Sequence, residues 1–131
     1  MYLLETEDFH GEGPGGPLWG VIDCARDDKL YHEVRLLKDD AVCLFIGVAS
    51  EIVAVSPHLV RLREGGALLD CWRTEGLDKA WGVLFRSMAS QHDLRKHFRT
   101  KLRAVLPDGR RVLVRFWDPR VNAVGALSPT K

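Results

Sequence analysis

Residues 18–46 read LWGVIDCARDDKLYHEVRLLKDDAVCLFI, and this stretch decides the fold. Leu18 to Asp23 is a short, apolar, β-rich run with the composition of a buried strand. Asp27 or Asp28 can then accept the orphan N–H groups of a helix start. Leu30, Val34 and Leu37, with Tyr31 beside them, recur at helical spacing and give that helix one apolar face to about Lys38. Asp39-Asp40 breaks the pattern, and Ala41 to Ile46 predicts a second buried strand ending at Gly47. A strand, a helix and a strand in that order point to a layered sheet with helices packed on it.

Working outward, residues 48–56 predict a short helix around Ser50 to Ala54, stopped by Pro57. Leu59 to Leu62 is a third strand closed by Gly65-Gly66, and Ala67 to Glu75 a helix with Leu68, Leu69 and Trp72 inward. Gly76 falls at the position after that helix, where positive φ is tolerated. Trp81 to Arg86 is a fourth strand. Ser90 caps a helix in which Leu94 and Phe98 face the core. Pro107-Asp108-Gly109 carries the Asp-Gly signal of a type I′ hairpin, which needs a strand on each side of it. The expected architecture is one α/β domain with a mixed five- to six-stranded sheet, three or four flanking helices and a closing antiparallel hairpin. Residues 1–17, rich in Gly and Pro, form a flexible entry, residues 18–121 the folded domain, and residues 122–131 a loose tail.

The chain has 131 residues, 46% hydrophobic and 28% charged, a composition that argues against disorder and for one domain able to bury a core. No apolar run approaches the ~20 residues that cross a bilayer, and Glu5, Glu7, Asp8 and Glu12 are unlike a signal peptide. Three cysteines, Cys24, Cys43 and Cys71, include no Cys-x-x-Cys, which favours reduced, packed thiols in a cytoplasmic protein. The net charge of +1 hides an asymmetry. Residues 1–90 carry 9 Lys/Arg against 15 Asp/Glu, a balance of −6, whereas residues 91–131 carry 10 against 3, a balance of +7. That basic third has three candidate counterparts: nucleic acid, an acidic protein surface, or the acidic half of its own fold.

Candidate chemistry is sparse. Gly11 to Gly16 satisfies G-x-G-x-x-G, but it precedes a strand instead of opening a helix, so it reads as a loop and not as a phosphate cradle. His10, His32, His58, His92 and His97 are scattered, and His92 and His97 stand five apart, not at the metal-binding i, i+4 spacing. Asp23, Cys24 and His58 are the members of an enzymatic alternative, a small hydrolase, which requires that they converge in one pocket; no glycine elbow supports it. Arg95, Lys96, Arg99, Lys101, Arg103, Arg110 and Arg111 support a nucleic-acid alternative, though the nearby aromatics fall at core-facing or strand positions. In Arg115-Phe116-Trp117-Asp118-Pro119-Arg120, Asp118 can accept a guanidinium and pin the strand exit, or the charges can form a rigid lip for a partner.

Five segments in register carry a resemblance. They are Trp19-Gly20-Val21-Ile22-Asp23, Cys43-Leu44-Phe45-Ile46-Gly47, Pro57 to Leu62, Trp81 to Ser87, and Leu106-Pro107-Asp108-Gly109 through Phe116 to Val121. Together they resemble the domain-of-unknown-function family of type VI secretion adaptors, which are encoded beside VgrG spike proteins and their toxic effectors. The resemblance implies a cytoplasmic, non-catalytic chaperone or adaptor that binds a secreted effector and the spike, with no cofactor or metal. It marks Trp81, Gly82, Arg86, Arg115, Asp118, Pro119 and Arg120, of which Arg115, Asp118, Arg120 and Arg86 are the candidate partner-binding residues. Two departures stand out: Ile46 replaces an acidic residue, and the helical part that follows the Asp-Pro-Arg motif in relatives is missing, so the chain is expected to be a minimal member or a truncated one.

Overall fold

The computed structural model describes residues 2–3, 15–76, 78–105 and 107–113. Strand β1 is Tyr2–Leu3, β2 Leu18–Asp23, β3 Ala41–Cys43, β4 Pro57–Leu62, β5 Gly82–Arg86, β6 Arg103–Val105 and β7 Arg111–Leu113. Helix α1 is Asp28–Leu36, α2 Ser50–Val53, α3 Ala67–Cys71 and α4 Gln91–Arg99.

The principal sheet runs β5-β2-β4-β3, and the two residues of β1 extend it beside β5. Strand β2 is its centre. It pairs antiparallel with β4, from Leu18↔Leu62 to Asp23↔Pro57, and antiparallel with β5, from Leu18↔Arg86 to Ile22↔Gly82. Strand β3 pairs antiparallel with β4 as well. So β2 and β3 point the same way with β4 between them, and β4 and β5 point the same way with β2 between them. These are two interlocked split βαβ units, the ferredoxin-like arrangement.

This topology corrects the expected mixed sheet. Every pairing among the described residues is antiparallel. Strand-helix-strand alternation fixes the direction of the returning strand but not its distance, and α1 and α3 each carry the chain past one strand position. The gap is then filled by a strand of opposite direction. The hairpin of β6 and β7 forms its own two-stranded ladder and adds no strands to the principal sheet, which therefore holds only four of the expected strands and reaches five through the two residues of β1.

Both faces of the sheet are covered, which is why all six residues of β2 are buried. On one face, Leu30 and Val34 of α1 and Leu68 and Leu69 of α3, with Trp72, pack on Leu18, Ile22, Val60, Leu62 and Leu84. On the other, Leu94 and Phe98 of α4, with Leu102, cover Trp19, Val21, Leu59, Val83 and Phe85. The caps foreseen in the sequence are present: the Asp27 side chain accepts from the Lys29 N–H at 3.1 Å, and the Ser90 hydroxyl oxygen from the Asp93 N–H at 3.1 Å.

Several local expectations change. Pro57 opens β4 instead of stopping a helix, since the first residue of a strand tolerates a missing N–H, and its carbonyl accepts from the Leu44 N–H at 3.0 Å. Strand β3 ends at Cys43, earlier than expected, and the chain turns away through Gly47 at φ 74. The N-terminal entry supplies β1, paired with Phe85 and Arg86. In the hairpin, Gly109 takes φ 89 while Asp108 stays at ordinary φ and accepts from the Arg110 N–H at 3.0 Å, so the turn is not type I′.

Glycines mark the tightest packing. Helix α3 widens into a π turn over Trp72–Gly76. Gly76 is not a positive-φ cap; a Cβ there would stand 2.5 Å from Trp72 Cδ1 and 2.6 Å from Trp81 Cε3. Those two indoles are fully buried and meet edge to face with centroids 6.3 Å apart. Gly20 admits the far end of the Trp72 ring in the same way.

Candidate functional site

Three features of the structure bear on function: a polar corner at the end of β2, a basic face on α4, and an apolar flank beyond β3.

The polar corner forms where β2 ends. Asp23 caps the following turn by accepting from the Ala25 N–H at 3.1 Å, and the chain then buries Cys24. Because Ile22 pairs with His58 in β4, Cys24 and His58 are brought together across 34 residues of sequence, with Sγ 3.5 Å from Nδ1. The convergence that the enzymatic alternative requires is therefore met for this pair. The electrostatics run the other way. Burial first, and then the nearby Asp23 and Cys43, push the Cys24 thiol up to about 12. Burial also holds His58 below its ordinary value, against a backbone bond to Ser56 that raises it. The Ser56 carbonyl oxygen lies 3.0 Å from Nδ1 and can only accept, which assigns the ring proton to Nδ1. That nitrogen then has no lone pair with which to deprotonate Cys24. An activated cysteine needs a lowered pKa and some exposure, and Cys24 has neither. Tyr31 closes the corner, its ring centroid 5.7 Å from that of His58. Among the described residues, no group of three or more His, Cys, Asp or Glu side chains is placed to hold a metal ion.

Helix α4 is amphipathic in charge. Leu94 and Phe98 face the sheet, and Phe98 meets Phe85 edge to face with centroids 5.2 Å apart. Gln91 Nε2 donates to the Asp39 carbonyl at 2.8 Å and ties the helix start to the loop after α1. The outer side carries His92, Arg95, Lys96 and Arg99, an i, i+3, i+4, i+7 series that forms one stripe. Four acidic residues of the preceding sequence, Asp40, Glu64, Asp70 and Glu75, are paired elsewhere. Asp40 takes Arg63 at 2.7 Å, Glu75 takes both Lys29 at 2.6 Å and Lys79 at 2.9 Å, and Glu64 takes Arg73. These contacts hold Glu75 and Asp40 below the usual carboxylate range, chiefly through the hydrogen bonds from Lys29 and Arg63. None of Arg95, Lys96 and Arg99 has an ion-pair partner among the described residues. Arg95–Arg99 and Lys96–Arg99 are like-charge neighbours, each costing about 0.2–0.5 kcal/mol. The helix dipole offsets part of this for Lys96 and Arg99 in the last turn, but Arg95 falls one residue before that turn.

The apolar flank lies on the connection between β3 and β4. Ile46, Ile52 and Val55 are three of the five large apolar side chains exposed among the described residues. Strand β3 beside them is the last in the sheet, with no further strand paired to it among the described residues.

The residues singled out by resemblance divide sharply. Arg86 is 3% exposed, and its guanidinium donates to the Gly16 carbonyl at 3.2 Å, tying the 15–17 turn to β5. It lies inside the fold and not on a rim. Gly82 is required by close approach, since a Cβ there would stand 1.9 Å from the Val21 carbonyl oxygen, and Trp81 is fully buried. Arg115, Asp118, Pro119 and Arg120 lie outside the described residues, as do Gly11 to Pro14 of the glycine-rich motif. Gly15 and Gly16, at φ 92 and 104, turn the chain directly into β2 with no helix following, as expected of a loop. Sequence reasoning brought Cys24 and His58 together only as members of the enzymatic alternative; antiparallel pairing of β2 with β4 is what places them in contact.

No helix among the described residues is long and apolar enough to cross a membrane. No curated protein and no solved structure matches the chain. A family match does exist, over residues 18–128, and it begins with β2 and takes in every element that follows. The chain belongs to the family described as a domain of unknown function, DUF4123.

Proposed function

We propose that this domain is a non-catalytic protein-binding module, a cytoplasmic type VI secretion adaptor or chaperone that binds a toxic effector and helps load it onto the VgrG spike. The observation that carries the reading is the flank beyond β3. Ile46, Ile52 and Val55 are exposed there beside an edge strand, an arrangement suited to adding a partner strand and covering apolar partner surface. Charged residues around such a surface set orientation and partner choice. The five sequence segments that resemble type VI adaptors supply the identity of the partners. The buried, neutral Cys24–His58 pair supports a structural corner over a reactive one.

Co-purification with the toxin and spike proteins encoded beside the gene tests the reading. Wild type captures the toxin. Arg115→Glu and Arg120→Glu weaken capture while cooperative thermal unfolding is retained. Loss of cooperative unfolding in those variants assigns the Arg-Phe-Trp-Asp-Pro-Arg motif to the fold. Failure of wild type to capture either protein, or turnover of a small substrate that depends on Cys24, overturns the adaptor reading.

A further inference from the structure

The stripe His92-Arg95-Lys96-Arg99 on the outer side of α4 is left unneutralised by the part of the fold described. The ion pairs formed by Asp40, Glu64, Asp70 and Glu75 go to Lys29, Arg63, Arg73 and Lys79, none of them on this helix. Arg95 adds a second anomaly: its Nε is buried with no hydrogen-bond partner among the described residues. Such a donor is costly to leave unmet.

We propose that this face of α4 is a docking surface for an acidic polypeptide segment, seated along the helix with carboxylates opposite Arg95, Lys96 and Arg99. The inference rests on the adaptor reading only for the identity of the partner. Nine residues of helix give a stripe about 13 Å long, the reach of two to three helical turns of a partner. Nucleic acid fits less well. The outer side of α4 carries no Phe, Tyr or Trp on which a base can stack, only the smaller rings of His92 and His97, since Phe98 is buried against Phe85. The chain as a whole has a pI of about 7.8 and a net charge of +1, whereas nucleic-acid-binding domains are usually strongly basic. A carboxylate matches a guanidinium in two parallel hydrogen bonds, and a short acidic segment needs no larger field.

The test uses the full chain, fluorescence anisotropy and two labelled probes. One is an alanine-based helical peptide with glutamates at i, i+4 and i+7; the other is a thymidine oligonucleotide of about 20 nucleotides. The peptide binds wild type at about 0.05 M salt, more tightly than the oligonucleotide does, and is released at about 0.5 M. Lys96→Glu with Arg99→Glu lowers its affinity at least about tenfold at an unchanged melting temperature. The milder pair Lys96→Gln with Arg99→Gln gives an intermediate loss and serves if the reversed pair does not fold. Equal binding by wild type and the reversed variant overturns the proposal, as does no peptide binding by wild type. Tighter binding of the oligonucleotide overturns it in favour of a nucleic-acid surface. Toxin and spike capture separates the two levels of argument. If wild type and the reversed variant capture equally, the α4 surface fails and the adaptor reading stands. If wild type captures neither, the adaptor reading fails and the peptide result judges α4 alone.

Discussion

Gly20→Ala places a methyl group in the centre of the sheet, on the face covered by α1 and α3. Built on the existing backbone, that carbon stands 2.9 Å from Trp72 Cη2, 3.0 Å from Cζ3 and 3.3 Å from Leu84 Cδ2. Carbon atoms prefer about 3.5–4.0 Å. Trp72 is fully buried, with Gly76 against its other end, so the ring has little room to retreat. Overpacking of this kind costs about 1–3 kcal/mol. Replacing glycine in a strand returns about 0.5–1 kcal/mol of backbone entropy, so the net loss is at most about 2.5 kcal/mol. Urea unfolding measures it. The decisive comparison is a double-mutant cycle with Trp72→Phe, which removes Cη2 and Cζ3. In that background Gly20→Ala is neutral or stabilising, giving a coupling of at least about 1 kcal/mol between the two sites. Equal costs in both backgrounds would refute the idea that Gly20 exists to admit the indole.

Gly82→Ala is more severe, because its Cβ would meet the Val21 backbone at 1.9 Å and only separation of β2 from β5 relieves it; the loss exceeds about 3 kcal/mol, read as loss of a cooperative melt by circular dichroism. A melt like that of wild type disproves the close approach. The pH dependence of stability reports His58. Since burial depresses its pKa, the unfolded chain takes up a proton that the folded one refuses. Stability is held above about pH 6.5 and falls below it by at most about 1.4 kcal/mol per pH unit. Asp40 and Glu75, also depressed, lose their contributions only as the pH falls through about 4 and below, outside this window. Urea midpoints between pH 7.5 and 5.5 therefore drop for wild type and flatten for His58→Gln, and an unchanged slope in that variant removes His58 as the source. Alkylation followed by mass spectrometry at about pH 8 modifies Cys43 and Cys71 first and Cys24 only on unfolding, because Cys24 is buried and its thiol stays protonated. Preferential labelling of Cys24 points instead to a reactive centre.

Helices α1 and α4 were legible because their periodic apolar residues and their caps, Asp27 and Ser90, are local signals. Strands β2, β4 and β5 were legible as apolar runs for the same reason. Their order was not, because nothing within ten residues of Leu18 says that Leu62 and Arg86 flank it. Gly76 shows the same limit. A glycine after a helix suggests a cap, and only the positions of Trp72 and Trp81 reveal that it makes room for two rings. The charge asymmetry was visible from composition, but the pairing of Glu75 with Lys29, 46 residues away, decides which cations remain for a partner. The motif from Arg115 to Arg120 lies outside the described residues.

The central position of β2 also has a consequence for biogenesis. Its two neighbours are completed only at Leu62 and Arg86. At about 5–20 residues per second, the ribosome delivers the last of these roughly 3–13 s after Asp23 has been synthesised. Both edges of this buried strand are open until Leu62 is made, and one of them until Arg86. Pausing or cleavage before Arg86 would therefore yield a sticky fragment, not a smaller working domain.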